Sequence, residues 1–222
     1  MKNLDIDRLN FKSEFGFESE SPFLEKNGLL EFKEGFTEPE FFAQWSFVTH
    51  LYGEAVVVDH CVVNLPDRPS LEKYAESFRP LGVQIVEGPD LFPVEFCTNN
   101  ITVPPDVWLH LETLLMPSGG LVVLSAPHAA GDQFDRFIKE RGNTGIHHVA
   151  IRVDDVHSAA NIWRKKGFEP LSVAPPDYGT LTQWFFQNSA GQIIELIYRR
   201  IDNNATFDCQ NIAGLRLSEV AQ

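Results

Sequence analysis

A chain of 222 residues with 43% apolar side chains can bury one sizeable core, or two small modules that share one, without disulfide staples. Its 31 acidic against 18 basic side chains give a net charge of −13, a field that repels phosphate backbones and anionic membrane surfaces, so neither nucleic acid nor a membrane is an expected partner. The three cysteines, Cys61, Cys97 and Cys209, lie far apart with no CxxC pair, which disfavours a disulfide framework or a zinc knuckle and predicts a reducing, cytoplasmic compartment. The opening stretch has no apolar export segment, and no run reaches the roughly 18–20 apolar residues that spanning a bilayer requires.

Residues 1–54 read as an N-terminal extension and a packing helix. The first 36 or so mix acidic residues with scattered Phe and Leu and hold no period of 2 or 3.6, so they are expected to lie across the core, or across a partner subunit in a homodimer. The stretch TEPEFFAQWSFVTHLYG then carries a Thr cap, an early Pro, acidic residues in its first turn and Gly53 at its end, which predict a helix.

From residue 55 one pattern occurs twice. Over 55–127, AVVVDHCVVNL reads as a buried strand, PSLEKYAESFRPLG as a helix stopped by Gly82, VQIVEG as a strand, and VWLHLETLLM with GLVVLSAP as a strand pair. Over 145–200 the same order returns as GIHHVAIRV, DDVHSAANIWRKKG, FEPLSVA, LTQWFFQNS and QIIELIYRR. Residues 128–144, with Phe134, Phe137 and Ile138 at helical spacing, link the two, and 201–222 form a tail with a weak helical pattern. The predicted architecture is α+β: two tandem βαβββ modules forming a cupped mixed sheet, whose closing hairpins turn on Gly119 and Gly191.

The repeat places His60 and His148 in matching opening strands. Strict alternation sends the neighbouring His147 to the opposite face, as a packing or supporting group. Glu195 lies inside QIIELIY, where an ionised carboxylate is costly unless a cation or hydrogen-bond donors compensate it. Two imidazoles and one carboxylate from three strands form the facial triad of non-haem Fe(II) enzymes, with open positions for substrate and dioxygen; Fe(II) is the expected cofactor, and Zn, Mn, Co or Ni suit the same donors. Four residues past the turn glycines stand Glu195 in the second module and Val123 in the first, so three protein ligands are expected, not four. His110 and Glu112 share a face by alternation and are candidates for a cavity-facing base. One ring of Trp184, Phe185 and Phe186 is expected to touch a ligand, and Arg199 and Arg200 read as solvated strand-end charges.

These residues carry a family resemblance. The duplicated unit with HHVAIRVDDV and GQIIEL resembles the vicinal oxygen chelate superfamily, and DHCVVNLPD at 59–67 closely resembles the first iron-ligand strand of the 4-hydroxyphenylpyruvate dioxygenases. The stretches DQFDRFIKERGNTGIHHVAIRVDDV and IIELIYR are similar to that family's linking helix, second-ligand strand and Glu-bearing strand. The resemblance covers 55–200 and implies that His60, His148 and Glu195 ligate Fe(II), that Gln183 lines the substrate pocket, and that the tail folds over it. The chain departs from the family in having some 54 residues where a whole domain precedes the catalytic one, and in Ser125 where an asparagine is usual. Methylmalonyl-CoA epimerases share the linker and second-unit strand but use a polar fourth ligand where this chain has Val123. The expected function is an Fe(II) dioxygenase acting with dioxygen on a small 2-oxo acid or similar chelating substrate. The alternatives are a divalent-metal isomerase, epimerase or lyase, and a non-catalytic small-molecule binding protein of the same fold.

Overall fold

The first element among the described residues is a hairpin, β1 (Phe23–Lys26) and β2 (Leu29–Phe32), closed by Asn27 and Gly28 at φ 53° and 83°. Two consecutive left-handed residues are what a tight type I′ turn needs, and Asn-Gly supplies them at low cost. The computed structural model describes residues 21–45, 47–99, 101–141, 145–177, 179–200, 207 and 209–220, so the remainder of the expected extension, 1–20, lies outside the described residues. Phe23 and Leu30 enter the main core, and Gln192 Oε1 accepts a hydrogen bond from the Leu30 amide at 2.9 Å, which fixes the hairpin to the body.

The single helix expected over 37–53 is corrected. Helix α1 covers only Pro39–Gln44; Trp45 is extended, and β3 (Val48–Leu51) pairs antiparallel with β4 (Glu54–Asn64). Tyr52 and Gly53, at φ 49° and 79°, turn the chain between them. The glycine that looks like a helix stop closes a hairpin, and the β-branched Val48 and Thr49 favour the strand.

Two modules follow. The first runs from β4 through α2 (Arg68–Phe78), β5 (Gln84–Phe92), β6 (Leu109–Leu115) and β7 (Leu121–Pro127). After α3 (Gln133–Arg141), the second runs through β8 (Gly145–Arg152), α4 (Val156–Lys165), β9 (Phe168–Pro170), β10 (Leu181–Asn188) and β11 (Ile193–Arg199), and α5 (Cys209–Val220) follows. Both module helices start on an aspartate: Asp67 accepts from the Ser70 amide, and Asp155 from the His157 and Ser158 amides.

The described strands β3 to β11 form one mixed sheet in the order β5-β6-β7-β4-β8-β11-β10-β9, with β3 on β4. β4 runs parallel to β7 and β8 parallel to β11, while β4 and β8 meet antiparallel, so each module repeats the other's pairing across this seam. The register repeats as well. His60 stands opposite Leu121 and His148 opposite Ile193, each partner two residues past its turn glycine. One face of the sheet packs on α2 and α4 through Leu71, Ala75, Phe78, Ala160 and Trp163. The other face holds the cavity.

Candidate metal centre

Strand alternation breaks at two matching places. Val58 and Cys61 both join the helix-side core although they are three residues apart, because the pairing of β4 with β8 slips between Val58–Ile151 and His60–Ala150. Asp59 is the extra residue, and the bulge turns Asp59 and His60 to the same side of the strand. A second slip, between Val62–His148 and Val63–Ile146, makes His147 the extra residue of β8. Ile146 and Val149 face the core, and both His147 and His148 line the cavity. The expectation that His147 lies on the opposite face is thereby corrected. The sequence does carry the signal, in V-D-H-C and I-H-H-V: apolar residues three apart around a polar pair, at corresponding points of the repeat.

The two bulged strands and β11 bring His60, His148 and Glu195 together. Nε2 of His60 and Nε2 of His148 lie 3.1 and 3.4 Å from the same oxygen, Glu195 Oε2, and one donor atom from each residue falls within 4.8 Å of the others. All three residues are buried, and Glu195 Oε1 has no hydrogen-bond partner among the described residues. A dry carboxylate oxygen with its lone pairs unused is costly unless a cation takes them up. This donor set fits a divalent first-row metal held by three protein ligands, since Val123, in register with Glu195, has no lone pair to add.

Charge in this cluster is strongly coupled. Burial works to lower the His60 imidazole, but the Glu195 and Asp59 carboxylates outweigh it and raise the pKa to about 9. Burial lowers His148 to about 4, with Glu195 opposing and His147 adding to the shift. Burial also pushes Glu195 up, yet His60 and His148 more than offset this and bring it down to about 2.

Each histidine is held from behind. His60 Nδ1 donates to Asp59 Oδ1 at 2.9 Å, and Asp59 also accepts from Arg199 Nε and Nη2, both at 2.8 Å, and from Arg152 Nε at 3.1 Å. Burial would raise the Asp59 carboxyl, but His60 and Arg199 hold it far below the usual range. Arg199, expected to be solvated, is thus corrected to a buried counter-charge of Asp59, whereas Arg200 pairs near the surface with Asp177. On the other side, His147 Nδ1 lies 2.8 Å from His148 Nδ1, and His147 Nε2 lies 3.2 Å from Glu219 Oε1 on α5. Glu219 pairs with Arg216. Burial works against the Glu219 carboxylate, but Arg216 and His147 bring its pKa down to about 2.

The cavity in front of the cluster measures about 80 Å³, and its walls are largely apolar, with Leu109, Leu111, Val123, Phe185 and Leu215 among them. Gln183 lines it and donates through Nε2 to the Asn211 carbonyl at 3.2 Å; Ser125 also lines it, hydrogen-bonded to Asn64 Oδ1 at 3.1 Å. Of the aromatic stripe only Phe185 reaches the cavity, while Trp184 and Phe186 join the helix-side core. His110 and Glu112 are not in the cavity, which corrects the expectation of a base there. Leu109, Leu111 and Thr113 face it, so the alternate residues of β6 face the α2 side.

The tail supplies the cover. Asn211, Ile212, Leu215 and Arg216 of α5 line the cavity, and the Phe207 ring stands 4.9 Å from that of His60. A Cys97–Cys209 disulfide ties the start of α5 to the segment after β5. The wide cysteine spacing, which disfavours a disulfide framework, carries no sign of this one bridge: a separation of 112 residues says nothing about proximity once the sheet has folded. No described helix is long and apolar enough to cross a membrane.

The paired βαβββ modules around one cavity define a vicinal oxygen chelate fold. Among solved structures, a mutant of 4-hydroxymandelate synthase from Streptomyces coelicolor aligns with TM-score 0.51 and 16% identity over 75% of this chain, which spans 56% of that one. Methylmalonyl-CoA epimerase from Mycobacterium tuberculosis aligns with TM-score 0.46 and 20% identity, covering 68% of this chain and 93% of its own. A Streptomyces coelicolor methylmalonyl-CoA epimerase, in complex with 2-nitronate-propionyl-CoA, gives 0.42 and 18%, covering 65% and 97%. No family model and no curated protein sequence matches the chain. At 16% identity the likeness to the synthase shows the fold alone, and the reaction has to be argued from the site.

Proposed function

We propose that the protein is a non-haem Fe(II) dioxygenase of the vicinal oxygen chelate fold, acting on a small 2-oxo acid or a similar chelating substrate. The observation that carries this reading is the buried set of His60, His148 and Glu195, with Val123 where a fourth ligand would stand. When bound, iron supplies open positions for a chelating oxygen pair and for dioxygen, and the electrons that activate dioxygen.

The chain's own residues do the rest. Asp59 holds His60 in the tautomer that leaves Nε2 free as a ligand atom. Leu109, Leu111, Val123 and Phe185 keep the reacting volume dry, which strengthens every polar contact inside it. Arg216 lines the cavity, and its Nη2 is buried without a hydrogen-bond partner among the described residues, so it offers a donor to the substrate. Beneath α5 the cavity is small, which favours a compact substrate. An isomerase or epimerase needs a base to move a proton; His110 and Glu112, the two expected for that role, stand outside the cavity.

Anaerobic reconstitution with Fe(II), followed by oxygen-uptake assays across a panel of 2-oxo acids, tests the reading. Uptake that requires iron and is lost in Glu195→Ala is the expected result. Turnover without oxygen in the presence of Mn, Co or Ni would overturn it in favour of the isomerase class, and failure to bind any metal would leave a binding protein.

A further inference from the structure

The two metal-facing histidines end on different parts of the molecule. To offer a lone pair at Nε2, a neutral histidine must carry its proton on Nδ1. For His60 that proton goes to Asp59, its neighbour on β4. For His148 it meets His147 Nδ1 at 2.8 Å, so that nitrogen must accept, and the His147 proton is left on Nε2. Nε2 in turn lies 3.2 Å from Glu219 Oε1, a buried carboxylate oxygen with no hydrogen-bond partner among the described residues and so free to take that proton once the two are aligned. One supporting carboxylate is therefore built into the sheet, whereas the other is brought by α5 and is present only while that helix is docked.

We propose that His147 and Glu219 are positioning residues that couple docking of α5 to metal binding at His148. With the helix in place, Glu219 fixes the tautomer and orientation of His147, and His147 does the same for His148. The metal then binds more tightly to the covered site, and by reciprocity the helix docks more firmly on the metal-loaded site. The coupling depends on the metal site and not on which reaction occurs there. Its structural basis is the β8 bulge, without which His147 would face the core.

The test uses the full chain with Co(II) as the probe metal, its affinity measured by competition with a chromophoric chelator. Glu219→Gln and His147→Phe are each expected to weaken Co(II) binding by about tenfold or more. The double variant should be no worse than the weaker single one, because both act along one line of contacts. Both should also shift the Co(II) visible spectrum, because His148 is no longer held in one orientation. Leu215→Ala, which loosens the helix but keeps both side chains of the line, should weaken Co(II) binding as well, because it lowers the docked fraction. In the unmodified chain, amide exchange over 209–219 is expected to slow when Co(II) is added, a measurement that needs no variant to fold. Unchanged exchange, or Co(II) affinity within twofold of the unmodified chain in both variants, would overturn the coupling while leaving the site intact. A chain that binds no Co(II) would overturn the site and the coupling together.

Discussion

Asp59 and His60 are adjacent on β4, yet Asp59 Oδ1 accepts a hydrogen bond from His60 Nδ1 at 2.9 Å. The bulge that permits this contact also lets Asp59 meet Arg199 and Arg152, so one buried carboxylate holds the His60 ring in place and pairs with two guanidinium groups. Asp59→Asn keeps the shape but removes the charge. Breaking a buried pair in this way costs about 3–5 kcal/mol, and loss of the group behind a metal ligand weakens metal binding about 10–100-fold. Urea unfolding of the metal-free protein and chelator competition of the loaded one measure the two effects separately. A variant that matches the unmodified chain in both would show that the contact is incidental.

The register of the two modules makes Val123 the counterpart of Glu195. Val123→Glu should therefore place a fourth oxygen ligand at the cluster. Metal is expected to be held at least as tightly, and iron-dependent oxygen uptake to fall by about tenfold or more, because a position needed by substrate or dioxygen is filled. Metal stoichiometry and oxygen uptake on the same preparation decide the matter; full uptake alongside tight metal binding would mean that Val123 does not face the open position.

The modules were legible because buried strands and capped helices announce themselves through period and end signals, and because the order repeats. The pairing of His60 with His148 is readable from that repeat, and Glu195 from a carboxylate set among isoleucines in an apolar strand. What escaped was everything that depends on a break in regularity. The β4 and β8 bulges shift single residues across the sheet, so alternation misplaced His147 and gave no hint of the Asp59–His60 contact. Arg199 sits at a strand end, where solvation is the usual fate, and only the folded register shows that it meets a carboxylate 140 residues away. Asn27-Gly28 has the residues of a tight turn, but the short strands on either side have no period long enough to mark them.

The Cys97–Cys209 bridge closes a loop of 112 residues and fixes the first turn of α5 over the cavity. Cross-links over loops of this size stabilise by about 2–5 kcal/mol, so reduction or Cys97→Ser should lower the unfolding free energy by that order. Alkylation in denaturant before and after reduction, read by mass spectrometry, should find one free thiol, Cys61, which is buried in the fold, and then three. Such a bond persists where the surroundings are oxidising, which sets it against the reducing compartment expected from cysteine spacing. Three free thiols in protein purified under non-reducing conditions would remove the bridge and restore that expectation.

Glu112 offers a test that separates the two faces of β6. It is buried on the α2 side; burial raises its carboxyl to about 7, Arg79 works to lower it, and Glu72 and Glu76 on α2 add to the rise. Its folded pKa thus exceeds its unfolded value of about 4.5. Below the lower value both states are protonated and the group costs nothing. As the pH climbs through the interval the unfolded chain ionises first, so folding loses stability, and above about 7 the whole loss is in place. Glu112→Gln removes that penalty. The variant should match the unmodified chain at about pH 4 and exceed it in thermal stability at about pH 8, the difference growing between them as other titrating groups cancel. Its metal affinity and oxygen uptake should stay unchanged, because the side chain faces the helix and not the cavity. A constant stability difference at all pH values would show that ionisation of Glu112 is not the cause, and a loss of uptake at full metal occupancy would return Glu112 to the site.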